Sequence, residues 1–467
     1  MRFRPLVLAL TTALLPVTVQ AEDLLQTYQL ARGQDPQLAA AEAGQRATAE
    51  GQVQTRAAML PQINGSASIH RSRSTSESGQ PQIDPTTGAI ISGGERVQDS
   101  TSRNVGIQLN QMVYNGQTLS RHRAQRLHTQ AGEHELESAR DQLITRTSQA
   151  YFNVLVAMET LAAAEAQEEA LKKQFDYASK RLEVGLAPIT DQHEARAQYE
   201  GARANTILRR NALEDARQAL MEITGQPINT LMALPDDFIP QLPAEGNATD
   251  WVQRAIDNNP ALAAQKTRLA AAEQNIQTAR AGHLPSLNAS ASYGYNRSDA
   301  TIEQLGRKAS TDGWSRNPSI GLTLSVPIFS GGATQSQVRQ AIAQRDVSEQ
   351  QLEQQKRALE RNTRSAYQNL AAGISAVEAR RLALVAAQSA HEASQVGLEV
   401  GTRTVIDVLI NQQNLFNAQQ AYAEAKYNYL QSHLTLRQAA GTLDVADLQN
   451  INRLLTAPAG RTPRIER

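Results

Sequence analysis

Cysteine is absent from the 467 residues. That excludes disulfides, thiolate metal sites, cysteine nucleophiles and a lipidated N-terminal cysteine. Beyond the N-terminal segment, no stretch approaches the ~18 uninterrupted apolar residues of a spanning helix. Neither sign of charge prevails: 46 basic residues face 46 acidic ones, without Lys/Arg tracts. No nucleic acid or other polyanion is implied as a partner. Aromatics are scarce at 4%, too few for a thick globular core. The abundant Ala and Gln suit thin, closely packed helices instead. There is no Gly-x-Ser-x-Gly and no phosphate loop. His122, His128 and His134 recur every six residues, which rotates them around a helix and gives no shared ligand face. No enzymatic activity, cofactor or metal is expected.

The chain opens with "MRFRPLVLALTTALLPVTVQA": basic Arg2 and Arg4, an apolar run from Leu6 to Val19, and a small residue at Ala21. This pattern predicts a secretory signal peptide over residues 1–21, cleaved after Ala21.

The rest is written twice. "GQDPQLAAAEA" at Gly33 echoes "DNNPALAAQKT" at Asp257, and "LPQINGSASI" at Leu60 echoes "LPSLNASASY" at Leu284, both about 224 residues apart. Later matches stand about 216 apart: "SQAYFNVL" with "RSAYQNLA", and "VGLAPITD" at Val184 with "VGTRTVID" at Val400. The first copy therefore carries about nine extra residues in "SESGQPQIDPTTGAIISGGERVQDS", whose Gly, Pro, Ser and Thr mark an exposed loop. The expected division is repeat 1 over 22–227, a Pro-rich linker over 228–246, repeat 2 over 247–441, and a C-terminal segment over 442–467 ending in a loose tail.

Each repeat starts with Ala-rich helix and continues into a β-hairpin, about 61–114 in the first and about 285–329 in the second. Leu287, Ala289, Ala291, Tyr293 and Tyr295 alternate with Asn288, Ser290, Ser292, Gly294 and Asn296. Ile63, Gly65, Ala67 and Ile69 behave alike, as do Val105, Ile107 and Leu109. Two physical settings give this alternation. One is a soluble sheet with one wet face; the other is a membrane strand of ~9–11 residues, apolar outward and polar toward a lumen.

Long helices follow, about 118–183 and 188–224, then about 333–399 and 404–440. About 65 residues at ~1.5 Å each make a rod of roughly 100 Å. In the last helix Val408, Leu415, Tyr422, Tyr429 and Leu436 recur at steps of seven, with Leu409, Phe416, Ala423 and Leu430 beside them. A doubled seam of this kind suits a helix with neighbours on both sides, or an ordinary antiparallel hairpin. Gly185 and Gly401 stand where a long helix must turn back. Thr404 and Asp407 have capping-box spacing, Pro188 suits a first helical turn, and Asp191 suits its positive end.

Four strands cannot close a membrane barrel, which needs at least eight, and an open edge cannot persist in lipid. The barrel must be shared between copies of the chain. Two copies would give eight strands filled by side chains; three would give twelve around a lumen, which long rods favour.

The paired "VGLAPITD" and "VGTRTVIDVL", the tail "AKYNYLQSHLTLRQAAGTLDVADL" and the twice-written "LP…N-S-A-S" strand openings resemble the TolC family of outer membrane efflux proteins, from about Asp23 to Leu455. The resemblance implies an α+β membrane protein. Three chains would supply four strands each to a 12-stranded outer-membrane β-barrel, continuous with a helical coiled-coil tunnel in the periplasm. The segment from 442 would lie at the tunnel's equator. Such a homotrimer is a passive duct for drugs, toxic small molecules or secreted proteins. Its partners are outer membrane lipid, a periplasmic membrane fusion (adaptor) protein, and an inner membrane efflux pump or ABC transporter. Val184, Gly185, Leu186, Val400, Gly401 and Thr402 then fall in adaptor-docking grooves. Thr190, Asp191 and Arg403 fall at links that close the periplasmic entrance, and Asp407 in an acidic ring facing the pore. Ile410 replaces a second acid one turn on, and Leu398 replaces a tyrosine that can join the gate. A periplasmic coiled-coil adaptor without a barrel is the rival reading, since it shares the long helical hairpins but lacks paired strand–helix units.

Overall fold

The computed structural model describes residues 23–459 apart from 78–81, 84–85, 92–94, 229, 236–237, 242–245 and 305–306. The expected signal peptide, the chain from residue 460 and parts of the Gly/Ser-rich loop and linker lie outside the described residues. The chain divides into two compact units. One comprises Gly44–Glu133 with Ala263–Gln354; the other holds the remaining segments, His134–Leu262 and Gln355 onward among them.

The first of these units is built on a four-stranded antiparallel sheet. Its strands are β1 (Gln62–Glu77), β2 (Glu95–Asn115), β3 (Ser286–Gln304) and β4 (Arg307–Ser325). They lie side by side in that order, so the two hairpins join through β2 and β3, leaving β1 and β4 as open edges. Strands of 16 to 21 residues outrun the apolar alternation, because polar and charged residues occupy both faces toward the loops. One face is serine-, asparagine- and glutamine-rich. There Ser72 meets Ser100 at 2.7 Å and Ser292 meets Ser319 at 2.8 Å. The other face leaves large apolar side chains in the open, including Ile69 at 75% and Ile320 at 89% exposure. Within the long first loop, Gln82–Ile83 pair with Ile90–Ile91.

The sheet passes directly into helix. A bulge interrupts the β2–β3 register between Met112 and Tyr114. The Asn115 carboxamide oxygen then accepts from the N–H groups of Gln117 (3.0 Å) and Thr118 (3.1 Å), capping the helix that starts at Gly116.

The helices are α1 (Leu24–Gln34), α2 (Pro36–Ala57), α3 (Gly116–Glu183), α4 (Ile189–Thr224), α5 (Ala248–Asn258), α6 (Pro260–Arg280), α7 (Ala333–Glu399), α8 (Val405–Ala439) and α9 (Val445–Asn452). The main core lies in the other unit, where Leu24, Tyr151, Phe152, Trp251, Tyr422, Tyr427 and Leu434 are fully buried. Both seams of α8 are covered there: Val408, Tyr422, Tyr429 and Leu436 on one, Leu409, Phe416, Ala423 and Leu430 on the other. Packing on two sides is thus realised within one chain.

Two tyrosines hold the linker by its backbone. The Tyr151 hydroxyl donates to the Met232 carbonyl (2.9 Å) and accepts from its N–H (3.0 Å). Tyr429 does the same with Gln241. The segment past Leu455, expected to be loose, is held as far as Ala459: Ala457–Pro458 pair with Met232–Ala233, and Ala459 N–H donates to the Leu231 carbonyl at 3.1 Å. Backbone groups make that contact, so side-chain composition did not announce it.

A buried polar contact fixes α8 against α3. Lys426 is fully buried with its ammonium 3.4 Å from the Glu159 carboxylate and over the rings of Tyr422 and Tyr427. The Tyr427 hydroxyl donates to the same carboxylate at 2.6 Å. Burial first, then the Glu159 charge, pushes the Tyr427 phenol well above its ordinary range.

Candidate functional site

The α3–α4 and α7–α8 turns are built alike. At the end of α3, Leu186 N–H reaches back to the Arg181 carbonyl (2.8 Å) and Gly185 N–H to that of Leu182 (2.9 Å). At the end of α7, Thr402 N–H reaches Gly397 (2.8 Å) and Gly401 N–H reaches Leu398 (3.2 Å). Both are Schellman turns closed by a left-handed residue. Gly185 has φ +74° and Gly401 has φ +78°. Within the chain a Cβ on either glycine would meet nothing within 4 Å, so backbone conformation rather than crowding requires glycine there.

Each turn presents apolar side chains to the outside. Val184, Leu186 and Val400 are 67–69% exposed. Thr402 folds its hydroxyl back onto the Gly397 carbonyl at 3.2 Å. Exposed aliphatics are thus clustered on each glycine turn.

The polar residues divide into two groups. On α4, the Thr190 hydroxyl lies 3.4 Å from the Asp191 carboxylate. On α8, Thr404 and Asp407 form a reciprocal capping box. The carboxylate accepts from the Thr404 N–H and hydroxyl, both at 2.9 Å, and Asp407 N–H donates to the hydroxyl at 3.3 Å. These bonds, backbone first, with the nearby Arg403 charge, hold the Asp407 carboxyl below the usual carboxylate range. Among the described residues no ion pair joins Arg403 to Asp191 or Asp407 within one chain. Thr190 and Asp191 are brought together, Arg403 and Asp407 are neighbours, and the chain itself does not link the two groups.

Gly397 belongs to this site and was not singled out by the sequence. A Cβ on Gly397 would lie 2.6 Å from Arg403 Cγ and 3.2 Å from its Cβ. The missing side chain lets the Arg403 stem lie against the last turn of α7. A glycine four residues before Gly401, inside an otherwise good helix former, was the available signal.

Comparison with known proteins follows the same plan. The family described as outer membrane efflux protein matches residues 27–226 and 251–442, once for each repeat. Outer membrane protein TolC of Escherichia coli (strain K12) is 34% identical over 469 residues, covering 98% of this chain and 90% of that protein. Alkaline protease secretion protein AprF of Pseudomonas aeruginosa is 29% identical, covering 91% of this chain and 86% of its own. Among solved structures, the Campylobacter jejuni CmeC outer membrane channel superposes with a TM-score of 0.72 at 20% identity, over 93% of this chain and 89% of that one.

Proposed function

Because the chain belongs to the outer membrane efflux protein family, we propose that three copies of it close one 12-stranded barrel and form a passive exit duct through the outer membrane. It is an outer membrane efflux channel; the trimer, its partners and its gate are the parts proposed. The observation that carries the barrel is the four-stranded sheet, with an exposed aliphatic face, a polar opposite face and two unpaired edges. Each unpaired backbone group in lipid costs several kcal/mol, so edge must meet edge in a ring of copies. A barrel-free adaptor does not account for such strands.

The exposed turns around Val184, Gly185, Leu186, Val400, Gly401 and Thr402 dock the hairpins of a periplasmic adaptor, which connects the duct to an inner membrane pump or ABC transporter. The cargo is drugs, toxic small molecules or secreted proteins. The signal peptide is removed after Ala21 to deliver the chain. The entrance is closed by Arg403 of one chain meeting Thr190 and Asp191 of its neighbour, with Asp407 facing the pore. It opens when the α7–α8 pair swings outward.

The test is single-channel recording in planar bilayers on protein that runs as a heat-modifiable trimer. Arg403→Ala removes the cation, and Gly397→Ala displaces its stem. Both are expected to conduct more than wild type. Unchanged conductance in both would remove Arg403 from the gate, and a stable lone subunit in detergent would remove the duct itself.

A further inference from the structure

Above its apolar band, the outward face of the sheet turns basic within one pleat. The register places Ile69, Arg103, Arg297 and Trp314 in one row across the four strands. The row nearer the helices is Ala67, Val105, Tyr295 and Arg316; the row beyond is Arg71, Thr101, Asp299 and Asp312, followed by Arg73, Asp99, Thr301 and Ser310. Side chains alternate between faces along a strand, so all of these share the face of Ile63, Ile107, Tyr293 and Ile320. Arg71, Arg73, Arg103, Arg297 and Arg316 stand there against Asp99, Asp299 and Asp312, a surplus of two positive charges per chain.

The ion pairs do not consume that surplus. Arg103 and Arg297 are directly opposed, an arrangement that like charges disfavour. One carboxylate serves both, Asp299 lying 2.7 Å from Arg103 and 3.8 Å from Arg297. Asp312 adds a contact to Arg297 at 3.7 Å and Asp99 one to Arg73 at 3.9 Å. Among the described residues no ion pair engages Arg71 or Arg316. Arg316 lies instead over the Trp314 ring at 5.2 Å, and Trp314 stacks with Tyr295 at 6.4 Å. Toward the loops the same face next carries Glu303 paired with Lys308 at 3.3 Å, and then Glu77 opposite Glu95. The net positive charge is therefore confined to a narrow belt, at the depth where aromatics flank the apolar band.

We propose that this belt binds the phosphates of the anionic glycolipid in the outer leaflet, its guanidinium groups gripping the lipid A headgroup while Tyr295, Trp314 and the aliphatic band below contact the acyl chains. Guanidinium pairs with phosphate through two parallel hydrogen bonds, and interfacial tryptophan and tyrosine sit at headgroup level. The belt lies on the loop side of the band, away from the helices, which is the outer leaflet when the helices are periplasmic. Arg71 and Arg73 occupy one open edge strand and Arg316 the other, so joining β1 of one copy to β4 of the next brings the two ends of the belt together. The inference rests on the barrel reading above.

The experiment uses the full-length trimer, delipidated in detergent, with native mass spectrometry as the readout. The probes are bisphosphorylated lipid A, the same lipid stripped of both phosphates, and inorganic phosphate as a competitor. Wild type should hold the phosphorylated lipid about tenfold more tightly than the stripped one. Arg71→Gln with Arg316→Gln, which breaks no ion pair among the described residues, should abolish most of that preference while leaving trimer and conductance intact. Should the variant not assemble, the comparison of the two lipids on wild type still decides. Equal binding of both lipids, an unaltered preference in the variant, or full displacement by millimolar inorganic phosphate would overturn the belt. Failure to bind either lipid, together with loss of the trimer, would overturn the barrel reading beneath it.

Discussion

At the start of α2, repeat 1 holds a charged pair where repeat 2, at the start of α6, holds a neutral one. Asp35 accepts from Leu38 N–H at 2.8 Å and takes the Arg146 guanidinium at 2.7 Å, its own side chain only 2% exposed. Asn259 accepts from Leu262 N–H at 3.1 Å and donates to the Ala439 carbonyl at 3.1 Å. The residue matching Arg146 is Asn362, so both charges are absent together. The helix turns show a second exchange. Repeat 1 has Arg181 before the turn and Ala187 after it; repeat 2 has Gly397 before and Arg403 after. Arg181 donates to the Leu186 carbonyl at 3.1 Å and so serves the turn itself. Arg403 serves its turn through its N–H, which donates to the Gly397 carbonyl at 3.1 Å, while its stem lies against Gly397. At these two places the backbone geometry is common to both copies while the charge differs, and at the helix start both members of the pair are exchanged together.

The largest effect comes from breaking the charged pair alone. Asp35→Ala strands a guanidinium that is 30% exposed and should cost about 3 kcal/mol, the low end for a buried pair. Asn259→Ala loses a cap and should cost about 1 kcal/mol. The double change Asp35→Asn with Arg146→Asn rewrites repeat 1 as repeat 2 and should fall within about 1 kcal/mol of wild type. Thermal loss of the trimer band reads all three. If the double change cost as much as Asp35→Ala, the charges would be contributing more than mutual satisfaction.

Asp141 extends the comparison, since Arg357 occupies the matching place. Burial, then Glu137 and Asp444, push the Asp141 carboxyl up to about 7. Its folded pKa lies above its unfolded one, so the ionised form penalises the folded state. Its own contribution to stability should be most favourable below about pH 4, decline as pH rises to about 7, and level off above. Asp141→Asn should flatten that decline and stabilise the protein at about pH 8 by about 1 kcal/mol, because water screens the partly exposed carboxyl. A decline of unchanged slope in the variant would assign it to another group.

Much of the fold was legible because its signals are periodic. Alternation at Leu287–Tyr295 marks a strand, and the two rows through Val408 and Leu409 mark a helix packed on both sides. Glycine at 185 and 401 was readable because only φ near +75° demands it. Two things left no pattern. The Tyr151 and Tyr429 hydroxyls grip backbone 81 and 188 residues away, a contact made by any linker sequence. Lys426, a lone cation among the aromatics of α8, is buried against Glu159 across the chain. At the site, Thr404 and Asp407 announced their cap by spacing, whereas the Gly397–Arg403 approach depends on how a side chain folds back across a turn.

The smallest effect separates the two turns most cleanly. α8 begins with a titratable cap, and α4 begins with Pro188, which makes no side-chain cap bond. Thr404→Ala should cost about 1 kcal/mol in the first turn of α8 and speed hydrogen exchange there about fivefold. Pro188→Ala should cost only a few tenths of a kcal/mol, mostly by loosening the unfolded chain. The Asp407 carboxyl is held below its ordinary range by Thr404 and Arg403. A depressed carboxyl contributes fully above its unfolded value of about 4, and that contribution is lost as pH falls through the folded value. Exchange at the start of α8 should therefore quicken in acid relative to the intrinsic rate, and Thr404→Ala should blunt that response. The start of α4 has no capping carboxylate bond at Pro188 to protonate. Equal acid sensitivity at both helix starts would mean that the capping box does not set the stability of the α8 turn, and the asymmetry between the repeats would then rest on Arg403 alone.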